Sequence, residues 1–509
     1  MALLEYLCAV VAVLVTYFVV VSRRINNHWK KRGIPGPEPV PFFGNLLPVL
    51  MRRKTMSDFY KEMYDNYPNE PLVGYYHFMV PILMIRDKGL VDRVFIKDFQ
   101  CFTDRFGAPD IVDDPSNANL FVLGGNAWRT IRAKFTPMFT TGKLKAMHPN
   151  INAIADRFID RLSEKLTDPV DLVKEAGVFA IETTSSCAFG IEPGAVDSET
   201  NEFGRNCLNV QPQNIFLFLR MSLLFIVPKF SGLIRLNVVS KKMASYFLGM
   251  IKDVLQHRRA SGTSRQDLVQ QMIVLQEKGE IEVEPQEVEE GVDDKSAYMK
   301  IEPTDDLIAG QALAFLLAGF DTTKYSLACM LLELAMHPEE QEIAREEVRK
   351  MNDLHGVDAD SLKSMEYLEA CMKEGLRLHS PLNSLVRICT KTCSLNGHTV
   401  NPGDKVFISI DGIHLDPSNY GEPEKFKPSR WLDDENRPQS GTYLAWGYGP
   451  RTCIGMRFAS LILKSALAKI LLKYRLSLAE PVKMPLAVNP MAIFFNFPSD
   501  KIFLKVEKV

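Results

Sequence analysis

The sequence has almost no excess of charge and no regular arrangement of cysteines. Its formal net charge is −2 over 509 residues, so it lacks the basic surplus of a general nucleic-acid binder, and we expect no nucleic-acid partner. Its nine cysteines include no Cys-x-x-Cys pair, and no internal repeat is visible. Cys389 and Cys393 are four apart but lack the partners of a zinc site. These absences indicate a reduced, cytosol-facing globular body.

One apolar run is long enough to cross a bilayer. Residues Leu3–Val21 contain few polar side chains, and at 1.5 Å per residue they span about 28 Å, close to the hydrocarbon thickness of a membrane. A cleaved signal peptide is the alternative, but Glu5 precedes the run and basic residues, Arg23 and Arg24 among them, follow it. The pattern favours an uncleaved anchor with the body in the cytosol.

The composition divides the chain into three parts. Residues 1–22 are the predicted transmembrane anchor, residues 23–41 are a basic and then proline-rich hinge, and residues 42–509 form the main body. Alternating prolines between Pro35 and Pro41 make the hinge a stiff, extended connector. Strand-like pieces at Leu72–Tyr76 and Pro81–Ile85 predict a small sheet soon after it.

A long helix is predicted between Thr304, a good N-cap, and Pro338, which limits its end. Its length would be near 50 Å, enough to cross a whole domain. In its middle stand Ala318-Gly319-Phe320-Asp321-Thr322-Thr323. Glycine weakens a helix there and threonine can bend it. One interpretation is a helix face packed on a polar neighbour; the other is a groove for O2, water and protons.

Residues 446–455 read WGYGPRTCIG, and an apolar run of helical spacing follows from Met456 to Tyr474. Three glycines and a proline predict a loop with unusual backbone angles. Cys453 would lie at the mouth of the helix, where the helix dipole favours a thiolate. A buried structural cysteine is the common alternative, but the spacing Gly-x-Gly-x-Arg-x-Cys-x-Gly is very rare by chance.

Two shorter patterns are ambiguous by themselves. Trp128 and Arg132 share a helix face and could grip a carboxylate, or Arg132 could simply be exposed. Glu-x-x-Arg occurs four times, and three pairs read as ordinary solvent-exposed helix pairs: Glu202/Arg205, Glu342/Arg345 and Glu346/Arg349. The pair Glu374/Arg377 differs because Phe426-Lys427-Pro428-Ser429-Arg430-Trp431 follows it later in the chain.

Residues 446–455 resemble the haem-binding loop of cytochrome P450, in which a cysteine thiolate is an axial ligand of haem iron. The family usually carries Phe where this chain has Trp446. The resemblance covers nearly the whole chain, from anchor to C-terminus, and is closest to the branch of vertebrate family 3 and insect detoxification P450s. It implies a mainly α fold with small β-sheets (α+β), with an N-terminal membrane helix and a long central helix over the haem.

The resemblance also assigns roles to residues. It makes Cys453 the metal ligand of haem b (iron protoporphyrin IX), Asp321 a proton relay and Thr322 its partner where oxygen is activated. Other residues expected at the haem, several of them at its propionates, are Trp128, Arg132, Ala318, Arg387, Trp446, Arg451 and Gly455. A buried network that retains the haem would consist of Glu374, Arg377 and Arg430. Candidate substrate-wall residues are Phe106, Leu120, Phe121, Val386 and Phe495.

The implied function is a haem-thiolate monooxygenase that inserts one oxygen atom from O2 into a lipophilic small molecule, either a xenobiotic or an endogenous lipid or steroid. Electrons would come from NADPH through NADPH–cytochrome P450 reductase, with cytochrome b5 as a second donor, at the endoplasmic reticulum membrane. The basic face for these partners would include Arg129, Lys134, Lys427 and Arg457.

Two alternatives keep the haem. One is an isomerase that rearranges peroxides without electrons; such relatives tend to lose the acid–alcohol pair that Asp321 and Thr322 would form. The other is a haem-binding sensor or carrier without turnover.

Three further segments are less informative. The apolar residues 215–227 are too few to span a bilayer and predict a buried or interfacial segment; the resemblance implies that they roof the substrate pocket and can dip into lipid. Residues 277–306 hold 12 acids against 3 lysines and read as a solvated loop. Strand-like Ala492–Phe495 and Ile502–Lys505 predict a closing hairpin with its tip at 498–500.

Overall fold

The computed structural model describes residues 5–6, 16–17, 20–23, 25–105, 118–197, 202–208, 241–265, 267–279, 281–283, 300–433 and 438–509. Phe106, most of the predicted anchor, the apolar segment 215–227 and the centre of the acidic segment lie outside these ranges. Among the residues described, no helix combines the length and the apolar character that a membrane crossing requires.

Helices make up most of the described chain, as expected. They are α1 His28–Lys31, α2 Leu47–Leu50, α3 Met56–Asp65, α4 Lys88–Asp92, α5 Gly125–Phe135, α6 Thr141–Ser163, α7 Leu172–Thr184, α8 Glu202–Leu208, α9 Lys241–Ser261, α10 Leu268–Glu277, α11 Asp305–Met336, α12 Pro338–His355, α13 Ala359–Ser364, α14 Glu366–Leu378, α15 Ile410–His414 and α16 Met456–Lys473.

The strands are short and form small sheets. They are β1 Leu72–His77, β2 Val80–Ile85, β3 Val170–Asp171, β4 Ile281–Glu282, β5 Lys300–Ile301, β6 Ser384–Ile388, β7 Cys393–Leu395, β8 His398–Val400, β9 Lys405–Ser409, β10 Tyr474–Leu478 and β11 Phe503–Lys508. One sheet has the order β1-β2-β9-β6, a second has β10-β11-β3, and β4-β5 and β7-β8 are two-stranded. The α+β class predicted from the sequence is confirmed.

The central helix α11 begins and ends where the sequence predicts. The Thr304 side chain accepts a hydrogen bond from Leu307 N–H at 3.2 Å, which caps the first turn. Pro338 starts the next helix directly after His337. Since α11 is apolar on nearly every side and most of its residues are buried, it forms the middle of the larger of two cores.

The smaller core lies around the four-stranded sheet, and it includes part of the predicted hinge. Trp29 and Ile34 are buried there, 4% and 5% exposed. The Trp29 indole covers Gly74, where an added Cβ would come within 2.3 Å of the ring, and its Nε1 donates to Tyr75 O at 3.1 Å. The extended, proline-rich part of the hinge also contacts the sheet, since Gly74 N–H donates to Pro35 O at 2.8 Å. The connector is therefore docked on β1.

The predicted C-terminal hairpin is wrong in its pairing. Strand β11 pairs with β10, Leu504 opposite Leu478, and with β3, not with residues 492–495. Phe495 instead bridges Leu382, and the chain folds back through the bridge between Val488 and Pro498. Strand pairing across the chain outweighs proximity in sequence because β10 offers a matching apolar face at the end of α16.

The expectation that Arg345 is solvent-exposed is also wrong. Its side chain is fully buried. Nη1 donates to the carbonyls of Leu471 and Tyr474, the second at 2.8 Å, and Nη2 donates to Gln341 Oε1 at 2.8 Å. Arg345 thus satisfies the carbonyls at the end of α16, where a cation is also favoured by the helix dipole.

Candidate active site

The loop before Cys453 is shaped by two glycines with positive φ. Gly447 and Gly449 have φ of +76° and +72°, and a Cβ on Gly449 would lie 1.9 Å from Phe95 O. The Cys453 N–H donates to Trp446 O at 2.8 Å, and Thr452 N–H donates to Gly449 O at 2.9 Å. These bonds close a tight loop that fixes where the sulfur lies.

The Cys453 side chain is solvent-accessible, yet burial of the sulfur among protein atoms raises the pKa of its thiol. The backbone N–H of Gly455 and the guanidiniums of Arg132 and Arg105 lower that pKa, but less strongly. The Gly455 N–H and the two guanidiniums thus favour the thiolate, and the crowding of the sulfur by protein atoms opposes them. A cation at the sulfur would favour the thiolate further.

Arginines surround the loop and hold its backbone. Arg132 Nη2 donates to Thr452 O and Arg105 Nη2 donates to Arg451 O, both at 2.8 Å. Arg451 Nη2 donates to Leu123 O at 2.5 Å, and its Cζ lies 4.2 Å from the centre of the Trp128 ring. The structure thus brings Trp128, Arg132 and Arg451 together, as the motifs predict, and adds Arg105.

These guanidiniums have N–H groups to spare. Nε and Nη1 of Arg451 and Nε of Arg387 are buried without a hydrogen-bond partner in the described structure. Burial and then repulsion from Arg105 lower the pKa of Arg451 to about 8, with Asp104 opposing. Burial, Arg105 and Arg451 also hold the pKa of Arg387 well below its usual range. Such a cluster favours an anionic ligand with several acceptor oxygens.

The middle of α11 is accessible where Ala318 lies, although most residues of the helix are buried. The Thr322 hydroxyl donates to Ala318 O at 2.7 Å. A Cβ on Gly319 would meet Thr184 Cγ2 of α7 at 2.7 Å, so glycine here allows α7 to pack closely. We call this accessible turn, Ala318 to Thr322, the notch. Its glycine is explained by helix packing.

Asp321 is paired with Lys324, a residue that the sequence analysis does not include among the site candidates. Lys324 Nζ donates to Asp321 Oδ1 at 2.6 Å, and both side chains are buried. Burial raises the pKa of Asp321, and Lys324 opposes that rise. Asp321 and Thr322 are thus held by Lys324 and by the Ala318 carbonyl respectively.

Phe139 connects the cysteine loop with α11. Its ring centre lies 6.2 Å from that of Phe315, one turn before Ala318, in a stacked arrangement. On the other side, a Cβ on Gly455 would lie 3.9 Å from Phe139 Cε1 and 4.0 Å from Cys453 Sγ. Phe139 therefore lies between the cysteine loop and helix α11, which carries the notch.

The described substrate-wall candidates differ in their burial and in the residues that they contact. Leu120 is buried, and its N–H donates to Gln311 Oε1 on α11 at 2.9 Å. Phe121 is 47% exposed, with the Arg105 guanidinium 4.9 Å from its ring centre. Val386 is buried on β6, and Phe495 stacks on Phe497 at 4.6 Å.

The structure brings Glu374, Arg377 and Arg430 into one buried network. Glu374 Oε1 accepts from Arg377 Nη2 and from Arg430 Nε, both at 2.8 Å. Oε2 accepts from Arg377 Nε and from Trp431 Nε1, both at 2.9 Å. Trp431 also belongs to this network. It was not predicted as a member, although it is the last residue of the motif Phe426-Lys427-Pro428-Ser429-Arg430-Trp431.

A buried histidine joins this network to the cysteine loop. His414 Nδ1 is 2.9 Å from Arg377 O, and Nε2 accepts from Leu444 N–H at 2.8 Å. With Nε2 as acceptor, Nδ1 must carry the proton, so the ring is neutral. Burial and then Arg377 lower the pKa of His414 to about 3. Only long-range contacts reveal this role, so the sequence gives no signal for it.

The residues present fit a haem group. A sulfur donor at the end of a rigid loop can bind iron from one side. The unpartnered N–H groups of Arg451 and Arg387 match the two propionate carboxylates of haem b. The notch at Ala318 lies on α11, which Phe139 connects to the cysteine loop, and Trp446 packs against the larger core.

Comparison with known proteins gives a consistent result. The family model described as Cytochrome P450 matches residues 34–506. The chain is similar to "Cytochrome P450 6B1" of Papilio polyxenes, 32% identical with 96% of this chain and 97% of that protein covered. It is similar to "Cytochrome P450 6k1" of Blattella germanica, 30% identical over 96% and 94%. It is 33% identical to "Probable cytochrome P450 6a13" of Drosophila melanogaster over 90% of each.

Proposed function

The chain belongs to the cytochrome P450 family and is a monooxygenase, and on that premise we propose that it inserts one oxygen atom from O2 into a lipophilic small molecule, with electrons drawn from NADPH through a reductase. The observation that carries this proposal is Cys453, accessible at the end of a glycine-shaped loop and surrounded by arginines with unused N–H groups.

Cys453, the arginines and α11 would hold the cofactor. The sulfur would bind iron, and the spare N–H groups of Arg451 and Arg387, with Arg132 and Trp128 beside them, would bind the propionates. When bound, haem iron supplies the reduction of O2 and the transfer of oxygen. A buried, electropositive rim favours the carboxylates of the group and excludes water from the region behind it.

Proton delivery is assigned to the notch in α11. Asp321 is a buried carboxyl with Oδ1 2.6 Å from Lys324 Nζ, and as a relay it would accept a proton and pass it on. The Thr322 hydroxyl can donate or accept while it stays oriented by Ala318 O. Together the two place exchangeable protons next to the accessible helix turn.

The substrate would be apolar because the candidate wall is apolar. Leu120, Val386 and Phe495 lie on three separate segments that reach the region around α11, β6 and the C-terminal loop. Apolar walls from several segments select by shape and by transfer from water. Phe121, with its ring against Arg105, would contribute at the edge.

A basic, open face beside the cysteine loop would receive the electron donor. Arg129, Lys134, Lys427 and Arg457 are all exposed. An open depression of about 350 Å³ lies next to Arg129, lined by Trp128, Arg132 and Pro450. Long-range attraction would steer an acidic reductase or cytochrome b5 to this face. Arg129→Glu should raise the KM for reductase and weaken the salt dependence of that KM, because part of the attraction that salt screens is lost, whereas Lys505→Glu on β11 should change neither.

The test of the proposal is spectral and catalytic. We expect the purified protein to show the red-shifted absorption of a reduced, CO-bound thiolate haem and to oxidise a lipophilic probe when NADPH and reductase are added. Cys453→Ser should remove that absorption. An unchanged spectrum in Cys453→Ser, or conversion driven by peroxide with no need of reductase, would contradict the proposal.

The location is proposed to be the endoplasmic reticulum membrane, with the body in the cytosol. The support is the apolar run Leu3–Val21 and the basic residues after it. Deletion of residues 1–21 should move the protein from the membrane fraction to the soluble fraction. Recovery of the deleted form in carbonate-washed membranes would refute the anchor.

A further inference from the structure

Lys324 is a buried, charged side chain to which the proposed reaction assigns no role. It follows Asp321 by one turn of α11, and its side chain is 7% exposed against 8% for Asp321. Nζ and Oδ1 are 2.6 Å apart. Because water is largely excluded, the attraction between the two charges is much stronger than in a surface pair.

Stability of the fold does not account for this pair. Burial of two charges costs hydration that their attraction often fails to offset, and an apolar side chain of similar size is then as good or better. Methionine has nearly the length of lysine and would fill the same space beside Phe320. A lysine at this position therefore points to a role for its charge.

Within the described ranges, the titratable groups that face the pair are the Cys207 thiol and the Tyr325 phenol, and both are neutral near pH 7. Cys207 on α8 is buried, and burial and Asp321 raise the pKa of its thiol while Lys324 lowers it. Burial also raises the pKa of Tyr325, against Lys324. Lys324 is thus the cation that opposes the effect of burial on the Asp321 carboxyl.

Aromatic rings hold Lys324 from the side of the substrate wall. Nζ lies 4.4 Å from the centre of the Tyr325 ring, within cation–π range. The Tyr325 ring stacks on Phe497 at 4.0 Å and 17°, and Phe497 stacks on Phe495 at 4.6 Å. The series ends at a proposed substrate contact.

We propose that Lys324 is a positioning residue that holds the Asp321 carboxylate ionised and in one orientation next to Thr322, while Tyr325, Phe497 and Phe495 fix Lys324 from the substrate side. The inference rests on the proposed function, in which Asp321 relays protons. Loss of the lysine should therefore act through Asp321 and resemble loss of the carboxylate itself.

The experiment uses haem-loaded full-length protein with reductase, NADPH and a lipophilic probe. We expect Lys324→Met to lower product turnover about tenfold and to enlarge the solvent deuterium isotope effect, because proton transfer becomes slower. Lys324→Arg, which keeps the charge, should recover most of the turnover. Lys324→Met/Asp321→Asn should be no slower than Asp321→Asn alone, because two residues that act as one unit are not additive.

A second readout does not depend on turnover. Infrared difference spectra should show a carboxylic-acid C=O band in Lys324→Met that is missing from the wild type and from the double variant. Lys464→Met is the matched control, since Lys464 is a buried lysine on α16 paired with Glu369 at 2.9 Å. It should change neither the isotope effect nor the infrared band.

The outcomes separate the two proposals. A wild type with thiolate-haem absorption but no product would refute the proposed function, and the infrared band would still report on Lys324. Additive losses in the double variant, or an unchanged isotope effect and no new band in Lys324→Met, would overturn the inference. If Lys324→Met fails to accumulate, Lys324→Gln is measured in the same way, with the same results expected.

Discussion

At the scale of single residues, Glu374 is the centre of a buried hydrogen-bond network. Its side chain is fully buried, and it accepts bonds from Arg377, Arg430, Trp431 and the backbone N–H of Lys427. Each guanidinium also donates to carbonyls, such as those of His414 and Gly421. One carboxylate therefore ties α14 to the segment that leads into the cysteine loop.

Glu374→Gln should lose about 3–5 kcal/mol of unfolding free energy, because two buried guanidiniums are left without their counter-charge. Chemical denaturation and haem content of the purified protein measure it. Glu346→Gln is the control: it removes an acid from the same Glu-x-x-Arg pattern, but Glu346 and Arg349 are exposed. We expect less than about 0.5 kcal/mol there. Similar losses of unfolding free energy in the two variants would show that the buried network adds no stability beyond that of an exposed pair.

Thr322→Ala should waste electrons. The variant lacks the hydroxyl that is bonded to Ala318 O, so we expect NADPH use to continue while product per NADPH falls severalfold and H2O2 rises. Thr323→Ala, at the next and buried position, should leave this ratio near that of the wild type. Full coupling in Thr322→Ala would remove the hydroxyl from the proposed relay.

At the scale of elements, helices α11 and α7 pack closely at Gly319. Gly319 faces Thr184, which is 2% exposed, and β-branching leaves its Cγ2 little freedom to move. The glycine that weakens α11 in isolation is what lets the two helices approach. This close approach fixes the position of the notch relative to α7.

Gly319→Ala should destabilise the protein by about 1–3 kcal/mol, since overpacking outweighs the gain of up to about 1 kcal/mol in helix propensity. Thr184→Ser removes Cγ2 and leaves the next atom at 3.4 Å, so the double variant should regain most of the loss. Thermal unfolding of the four proteins tests this. A double variant as unstable as Gly319→Ala would place the strain elsewhere.

At the scale of the whole molecule, His414 bridges the two cores. It bonds Arg377 O on one side and Leu444 N–H on the other. Leu376 belongs to the larger core and Leu444 to the smaller. Since a protonated ring cannot accept from Leu444, the bridge depends on the neutral form.

The protein should therefore lose stability in acid through His414. The folded pKa of about 3 lies below the unfolded value of about 6.5, so the contribution is complete above pH 6.5 and is lost as pH falls towards 3. About 2 kcal/mol should be gone by pH 5. His414→Gln should flatten the stability profile between these limits, and His355→Gln, exposed at the end of α12, should leave it unchanged. An identical slope in His414→Gln would contradict this.

The sequence predicts best what local chemistry decides. Thr304 and Pro338 mark the ends of α11, and glycines mark the cysteine loop, because caps and backbone angles depend on neighbouring residues. Arg345, Lys324 and His414 were misjudged or missed because their partners lie on other elements or become important only once buried. The C-terminal pairing failed for the same reason: β10 is remote in sequence but adjacent in space.

The packing of Trp29 on Gly74 limits the distance between an inserted N-terminal anchor and the four-stranded sheet. Val21 ends the apolar run eight residues before this tryptophan, a distance of at most about 28 Å for a fully extended chain. An inserted anchor would hold the sheet side of the molecule within that short tether, without a swinging linker. A compound dissolved in lipid would then be presented at its membrane concentration, and partitioning into the bilayer would govern apparent affinity as much as the fit of any wall.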